Sequence, residues 1–172
     1  MSKDNHKYMI LIRGLSGCGK RTIADLICDA DTDDENRVAI SANDYFYNDN
    51  DEFEFDASKL KDAHHWCLQE AEVCALQGYE VIVVHNSFTR RWETEPYFHI
   101  AKTNGYRVSV LSMYDGGLND MQLSERSTHD IPLYSIRNQR KRWELDVFRE
   151  QKYGKPKGRV DMKNVRKKNF RS

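Results

Sequence analysis

The chain has 172 residues, enough for one sizeable core and too few for two ordinary domains, and its 27 Lys and Arg balance 27 Asp and Glu. No apolar run approaches the roughly 18 residues that span a bilayer, and the N-terminus lacks an export-signal pattern. A soluble intracellular protein, cytoplasmic or nuclear and without a membrane partner, is therefore expected. The zero net charge hides an asymmetry: residues 137–172 carry 14 Lys and Arg against Glu144, Asp146, Glu150 and Asp161. Such a segment is either an appendage for a polyanion or a solvated tail.

In chain order, residues 8–13 (YMILIR) form a short apolar run that ends at a glycine-rich stretch, and residues 22–28 (TIADLIC) have helical spacing. After the acidic DADTDDEN, residues 38–40 form a short apolar run. SANDYFYNDNDEFEFD then reads as a surface loop with aromatic anchors. Residues 58–77 place Leu60, Ala63, Leu68, Ala71 and Ala75 at helical intervals and stop at Gly78, a suitable left-handed cap. Residues 80–85 (EVIVVH) suit a strand buried on both faces of a parallel sheet. Residues 92–104 suit a helix with Pro96 in its first turn, ended by Gly105. Residues 107–111 alternate as another strand, and residues 118–127 and 133–150 suggest two helices, the second starting near Pro132. Strands alternating with helices predict an α/β fold, a parallel sheet with helices on both faces. A domain over residues 1–153 and a basic, disordered tail over residues 154–172 follow.

Cys18, Cys28, Cys67 and Cys74 lack C-x-x-C spacing and read as small buried hydrophobes rather than metal ligands. His64 and His65 are adjacent on one helix and cannot both face one metal, so packing or exposure is preferred to zinc there. Trp92 and Tyr97 read as packing residues.

The chemistry concentrates in RGLSGCGKRT, residues 13–22. It fits the phosphate-loop pattern G-x-x-x-x-G-K-[ST] through Gly14, Gly19 and Lys20, between an apolar strand and an amphipathic helix, the context that gives the pattern meaning. Gly14, Gly17 and Gly19 let backbone amides converge on phosphate oxygens. Lys20 adds charge and the following helix its N-terminal dipole. The nucleotide-binding set is Gly14, Gly17, Cys18, Gly19, Lys20, Arg21 and Thr22, with ATP or another nucleoside triphosphate as ligand. The pattern departs at Arg21, which stands where a hydroxyl should be.

RGLSGCGK, SANDYF, DAHHWCLQEA, HNSFTRRWETEPY and ERSTHDIP, in this order over residues 8–150, resemble the P-loop kinase domain of Nedd-four-binding-protein-two-like proteins. That domain is similar to the bacteriophage and eukaryotic 5′-hydroxyl polynucleotide kinases. The resemblance implies a P-loop kinase-like fold and magnesium-assisted transfer of the ATP γ-phosphate to the 5′-hydroxyl of RNA or DNA. It also implies roles for particular residues. Arg21 takes the place of the Ser or Thr that holds magnesium, Asn43 that of an Asp general base, and His85 that of an Asp near the metal. Asp44, Asn86 and Arg126 match, Arg126 as a lid arginine on the nucleotide phosphates. Glu125 stands where a second lid arginine is often found, and Phe88 where the pattern is polar.

Arg21 places a permanent, fork-shaped cation where the metal would sit, so it can pair with phosphate itself and leave magnesium in doubt. The alternative is that Arg21 swings out and Thr22 takes over, although one residue at a helix start rotates the hydroxyl by about 100°. Asn43 cannot accept a proton as a carboxylate does. Asp44, if the segment is extended, points the other way. His85 is either a base near neutral pH or a buried neutral residue. Three changes around one metal position are most economically read as weakened or lost catalysis. A working kinase with a rearranged site and a nucleotide-stabilised protein-binding module remain as alternatives. Arg90, Arg91 and the basic tail are the candidates for contact with RNA or DNA.

Overall fold

A computed structural model describes residues 6–29 and 36–145. Four parallel strands, β1 (Lys7–Gly14), β2 (Arg37–Ile40), β3 (Val81–Asn86) and β4 (Tyr106–Tyr114), line up in the order β2-β3-β1-β4. The helices are α1 (Lys20–Cys28), α2 (Leu60–Gln77), α3 (Glu95–Thr103), α4 (Asp120–Arg126) and α5 (Leu133–Arg142). The expected basic tail at 154–172 and most of the acidic stretch after α1 lie outside the described residues, whereas the last helix, expected to run to residue 150, ends at Arg142, where Trp143 turns to an extended conformation.

Strand alternation divides the core. Met9 and Leu11 of β1 and Ile82 and Val84 of β3 face α2 and α3, whereas Ile12, Val81 and Val83 face α1. Every residue of β3 is buried, which is why its sequence reads as an unbroken apolar run. β4 is covered on one face only, by Tyr106, Val108 and Val110, so it alternates instead. Among the described residues no helix is long and apolar enough to cross a membrane.

The helix boundaries differ from the sequence expectations in ways that matter for the site. α2 ends at Gly78 (φ 84) as expected and buries Ala63, Ala71 and Ala75 together with Cys67 and Cys74, but Leu60 is exposed. Cys18, Cys67 and Cys74 are buried and Cys28 partly so, all as free thiols. α3 starts later than expected and carries Pro96 in its first turn. Trp92 therefore lies on a separate 3-10 turn, Arg91–Glu93, off the buried stripe of α3, and is 68% exposed rather than packed, whereas Tyr97 is buried. The segment after β2 is not extended at Asp44: Ala42–Phe46 is a 3-10 helix.

Parallel strands bring their C-terminal ends to one edge, the usual place for a ligand crevice in such sheets. Gly14, Ile40 and Asn86 close their strands there, so the glycine loop, the residues after β2 and the tip of β3 meet.

Candidate functional site

The loop from β1 to α1 is held from below. The Leu15 N–H donates to Tyr114 O at 2.7 Å and the Gly14 N–H to Ser87 O at 3.2 Å. Gly17 and Gly19 sit at φ 83 and 98, and a Cβ on Gly17 would lie 2.0 Å from the Leu123 carbonyl oxygen. An L side chain there is excluded by backbone conformation and by the close approach of α4. Leu123 is fully buried with Leu15, Cys18 and Ile136, which fixes α4 and α5 over the loop. Gln139 of α5 completes the hold: its Oε1 accepts from the Ser16 N–H and its Nε2 donates to Ser16 Oγ, both at 2.9 Å.

With the loop so anchored, the N–H groups of Gly17, Gly19, Arg21 and Thr22 make no hydrogen bond among the described residues. Arg21 and Thr22 lie in the first turn of α1 and Gly19 is its N-cap, at the positive end of the helix dipole, where the first turn carries no acidic residue. Lys20 Nζ donates to Gly14 O and Leu15 O, both at 2.9 Å, and its half-buried position lowers its pKa. Burial raises the Cys18 thiol, against the pull of Lys20. Arg21 is exposed and has no hydrogen bond or ion pair among the described residues, yet its charge acts on Asp44, His85 and His129. Thr22 is exposed and likewise without a bonded partner there.

The two strand tips behave differently. Asp44 caps its own 3-10 helix, with Oδ2 accepting from the Ser41 N–H at 2.7 Å, and burial raises its pKa against that bond and the Arg21 charge. Asn43 beside it is exposed. Asn86 is a structural pin: its Oδ1 accepts from the Ala42 N–H at 2.9 Å and its Nδ2 approaches Cys67 Sγ at 3.4 Å. His85 is 8% exposed, and burial, then Lys20 and Arg21, push its pKa down to about 4, so the ring is neutral at physiological pH. Phe88, three residues on, is buried at φ 43, a conformation that a bulky residue adopts only when its surroundings impose it. Arg13 Nε donates to its carbonyl at 3.0 Å.

Among the described residues no three His, Cys, Asp or Glu side chains converge as a metal-binding group. Arg126, exposed at the end of α4, has no hydrogen-bond or ion-pair partner there. Arg90 and Arg91 are engaged at the surface: Arg90 Nη1 meets Glu144 Oε1 at 3.2 Å, and Arg91 Nε meets Glu95 Oε1 at 3.6 Å. The structure thus groups Lys20, Arg21, Asp44 and His85, whose charges act on one another, and holds Arg90 and Arg91 in surface ion pairs.

No protein-family profile matches the chain. Human NEDD4-binding protein 2 is 31% identical over 100 residues, 58% of this chain. The match spans only 5% of that protein's length. A chain of the Pnkp1/Rnl/Hen1 RNA repair complex superposes with a TM-score of 0.58 at 13% identity, covering 83% of this chain and 46% of the other. The chain has an α/β, P-loop kinase-like fold. A gluconokinase from Sinorhizobium meliloti aligns less well, at 17% identity and a TM-score of 0.48, over 83% of this chain and 78% of that one.

Sequence reasoning about this kinase-like domain missed Gln139, Leu123 and His129. Gln139 and Leu123 act on the loop across more than a hundred residues, and neither spacing nor residue type signals such a contact. His129 was visible only as part of ERSTHDIP; its stacking on Phe53 depends on where the α4–α5 loop falls.

Proposed function

We propose that this domain binds a nucleoside triphosphate, with ATP as the working ligand, and that it transfers phosphate weakly or not at all. The observation that carries the reading is the set of N–H groups at Gly17, Gly19, Arg21 and Thr22 that have no hydrogen-bond partner among the described residues, in the loop that Lys20 pins through Gly14 O and Leu15 O. Backbone amides, a lysine and a helix dipole suffice to hold phosphates.

The side chains around that point do not suit a magnesium ion. Arg21 presents a guanidinium and His85 a neutral ring beside two cations. Asp44, the remaining carboxylate of the pair after β2, already caps its own helix. Arg21 instead pairs with the phosphates, in the fork geometry that suits oxyanions. Phosphoryl transfer rests on positioning and charge neutralisation together with a residue that accepts or orients the acceptor proton, and Asn43 cannot act as a carboxylate base.

A nucleic-acid strand is the proposed second ligand. The surplus of Lys and Arg over residues 137–172 supports it, and so does the likeness in fold to a chain from an RNA repair complex. Arg90 and Arg91 are the weaker part of this proposal, because Glu144 and Glu95 already offset them.

The test is an ATP titration by calorimetry with magnesium and with a chelator, run beside transfer of labelled phosphate to a 5′-hydroxyl oligonucleotide. Binding that survives the chelator, with turnover far below that of an ordinary kinase, is expected. Absence of ATP binding overturns the nucleotide reading, and robust magnesium-dependent transfer overturns the loss of catalysis.

A further inference from the structure

The 3-10 helix after β2 leads into a small aromatic platform. Tyr47 and Phe53 pair as an isolated antiparallel bridge, the Glu54 N–H donates to Phe46 O at 2.8 Å, and the Asn48 N–H donates to Glu52 O at 3.0 Å. Phe46 is buried beneath, and Phe55 lies nearly parallel to Phe53 at an interplanar angle of 13°.

The loop between α4 and α5 reaches it. His129 stacks on Phe53 with ring centroids 3.8 Å apart and 16° between planes, and Tyr47 turns its ring against both at 60–69°. The next residue, Asp130, adopts φ 49. The result is a slot with a floor, Phe53, and a wall, Tyr47, filled by one flat heteroaromatic ring at stacking distance. Tyr47 caps the 3-10 helix that carries Asp44, and the Arg21 charge reaches His129 as well as Asp44 and His85.

The surroundings restrict what else can enter. Asp49, Asp51, Glu52 and Glu54 are exposed on the same loop, and no Lys or Arg occurs from residue 38 to residue 58. A run of phosphates along this loop would meet like charge throughout.

Resting on the proposed nucleotide-binding reading, we propose that the Phe53–Tyr47 slot is the acceptor's stacking subsite, that it takes the single terminal nucleobase at the 5′-hydroxyl end of a strand, and that His129 fills it until that base arrives. An aromatic face accepts any base, so the subsite selects an unpaired end and not a sequence. The acidic loop keeps the strand's backbone out, which limits occupancy to the one nucleoside that precedes the first phosphate. The tenancy of His129 lowers apparent affinity, because only the fraction of molecules with an open slot can bind.

The experiment uses the full chain and two DNA oligonucleotides with free 5′-hydroxyls, one with 2-aminopurine as its 5′-terminal base and one with it in the middle. Stacking quenches the probe, so the terminal label should lose fluorescence on binding and the internal label should not. Phe53→Leu, which keeps an apolar anchor but removes the ring face, should weaken the terminal probe's affinity by about tenfold and abolish the quenching. His129→Ala should tighten binding by about two- to tenfold, the reciprocal of the lost ring–ring contact. Thermal unfolding of both variants separates a local effect from misfolding. Equal quenching at both label positions, or binding unchanged or weakened by His129→Ala, overturns the proposal. ATP titration of the wild-type chain in parallel keeps the two readings apart. A chain that binds ATP without end-specific quenching removes the subsite alone, whereas one that fails to bind ATP removes the nucleotide reading on which it rests.

Discussion

The phosphate loop and the strand tips beside it share one edge of the sheet but are built from different material. At the loop the working parts are backbone: N–H groups at the start of α1, two left-handed glycines, and carbonyls that hold Lys20. At the tips of β2 and β3 the working parts are side chains, and there Asn43 and His85 stand where the resemblance implies carboxylates. A backbone site survives substitution as long as the fold survives, because every residue but proline supplies the same N–H. A side-chain site can be lost with one change. Binding is therefore expected to outlast catalysis in this domain.

The largest expected effect tests that contrast by rebuilding the side-chain half. Arg21→Ser with Asn43→Asp and His85→Asp should raise phosphate transfer to a 5′-hydroxyl oligonucleotide in magnesium buffer by at least about a hundredfold, since a positioned general base alone contributes on the order of that. Each single change should do little, and the triple variant should exceed their product, as for residues that act as one unit. Rates that remain at the wild-type level in the triple variant would mean that the loss lies in the lid or the acceptor side.

The converse breaks the backbone half. Gly17→Ala adds a Cβ at a left-handed position against the Leu123 carbonyl and should cost at least about 2 kcal/mol of stability in denaturant unfolding, with loss of ATP binding. A Gly17→Ala chain as stable as wild type would show that α4 does not sit on the loop in solution.

These two tests also mark where the sequence was legible. The strands, the glycine loop and the cap at Gly78 follow from patterns a few residues long, because apolar periodicity and glycine placement are set by neighbours along the chain. The direction of Asp44 stayed open because it depended on a 3-10 turn that its own carboxylate caps, and Trp92 was misjudged because the start of α3 lay three residues later than periodicity suggested. The clasp over the loop lies deeper still: Gln139 reaches Ser16 from 123 residues away, and only the packed fold shows which polar residue meets which. The reading of the tips depended on letter-by-letter resemblance, and the structure adds what the letters omit, namely that Asn86 is spent on Ala42 and Cys67.

A smaller effect concerns the charge of the basic C-terminal region. Deleting residues from Lys155 onward should weaken oligonucleotide binding by about tenfold at low salt and flatten its dependence on salt concentration, since fewer counterions are released. An unchanged salt slope would assign the segment to solubility instead.

The smallest effect joins the two halves through His85. Burial and the charges of Lys20 and Arg21 hold its pKa at about 4, below the ordinary 6.5 or so of an exposed histidine. The folded chain therefore disfavours the protonated ring, and the stability this contributes is present above about pH 6.5 and is lost as pH falls toward 4. A bound triphosphate cancels the two cations, which relieves part of that depression and raises the His85 pKa. Anything that raises a pKa on binding takes up protons and binds more tightly as pH falls. If the full ordinary value were restored, ATP affinity would gain up to about fourfold between pH 8 and pH 6 from this group. Because the triphosphate titrates in the same range, the measurement is the ratio of wild-type affinity to that of His85→Asn at each pH, together with proton uptake from calorimetry in buffers of different ionisation heat. A ratio that rises as pH falls places the phosphates beside Lys20 and Arg21. A flat ratio means that the ligand leaves those two cations as they are, and with them the account of Arg21 as a phosphate partner fails.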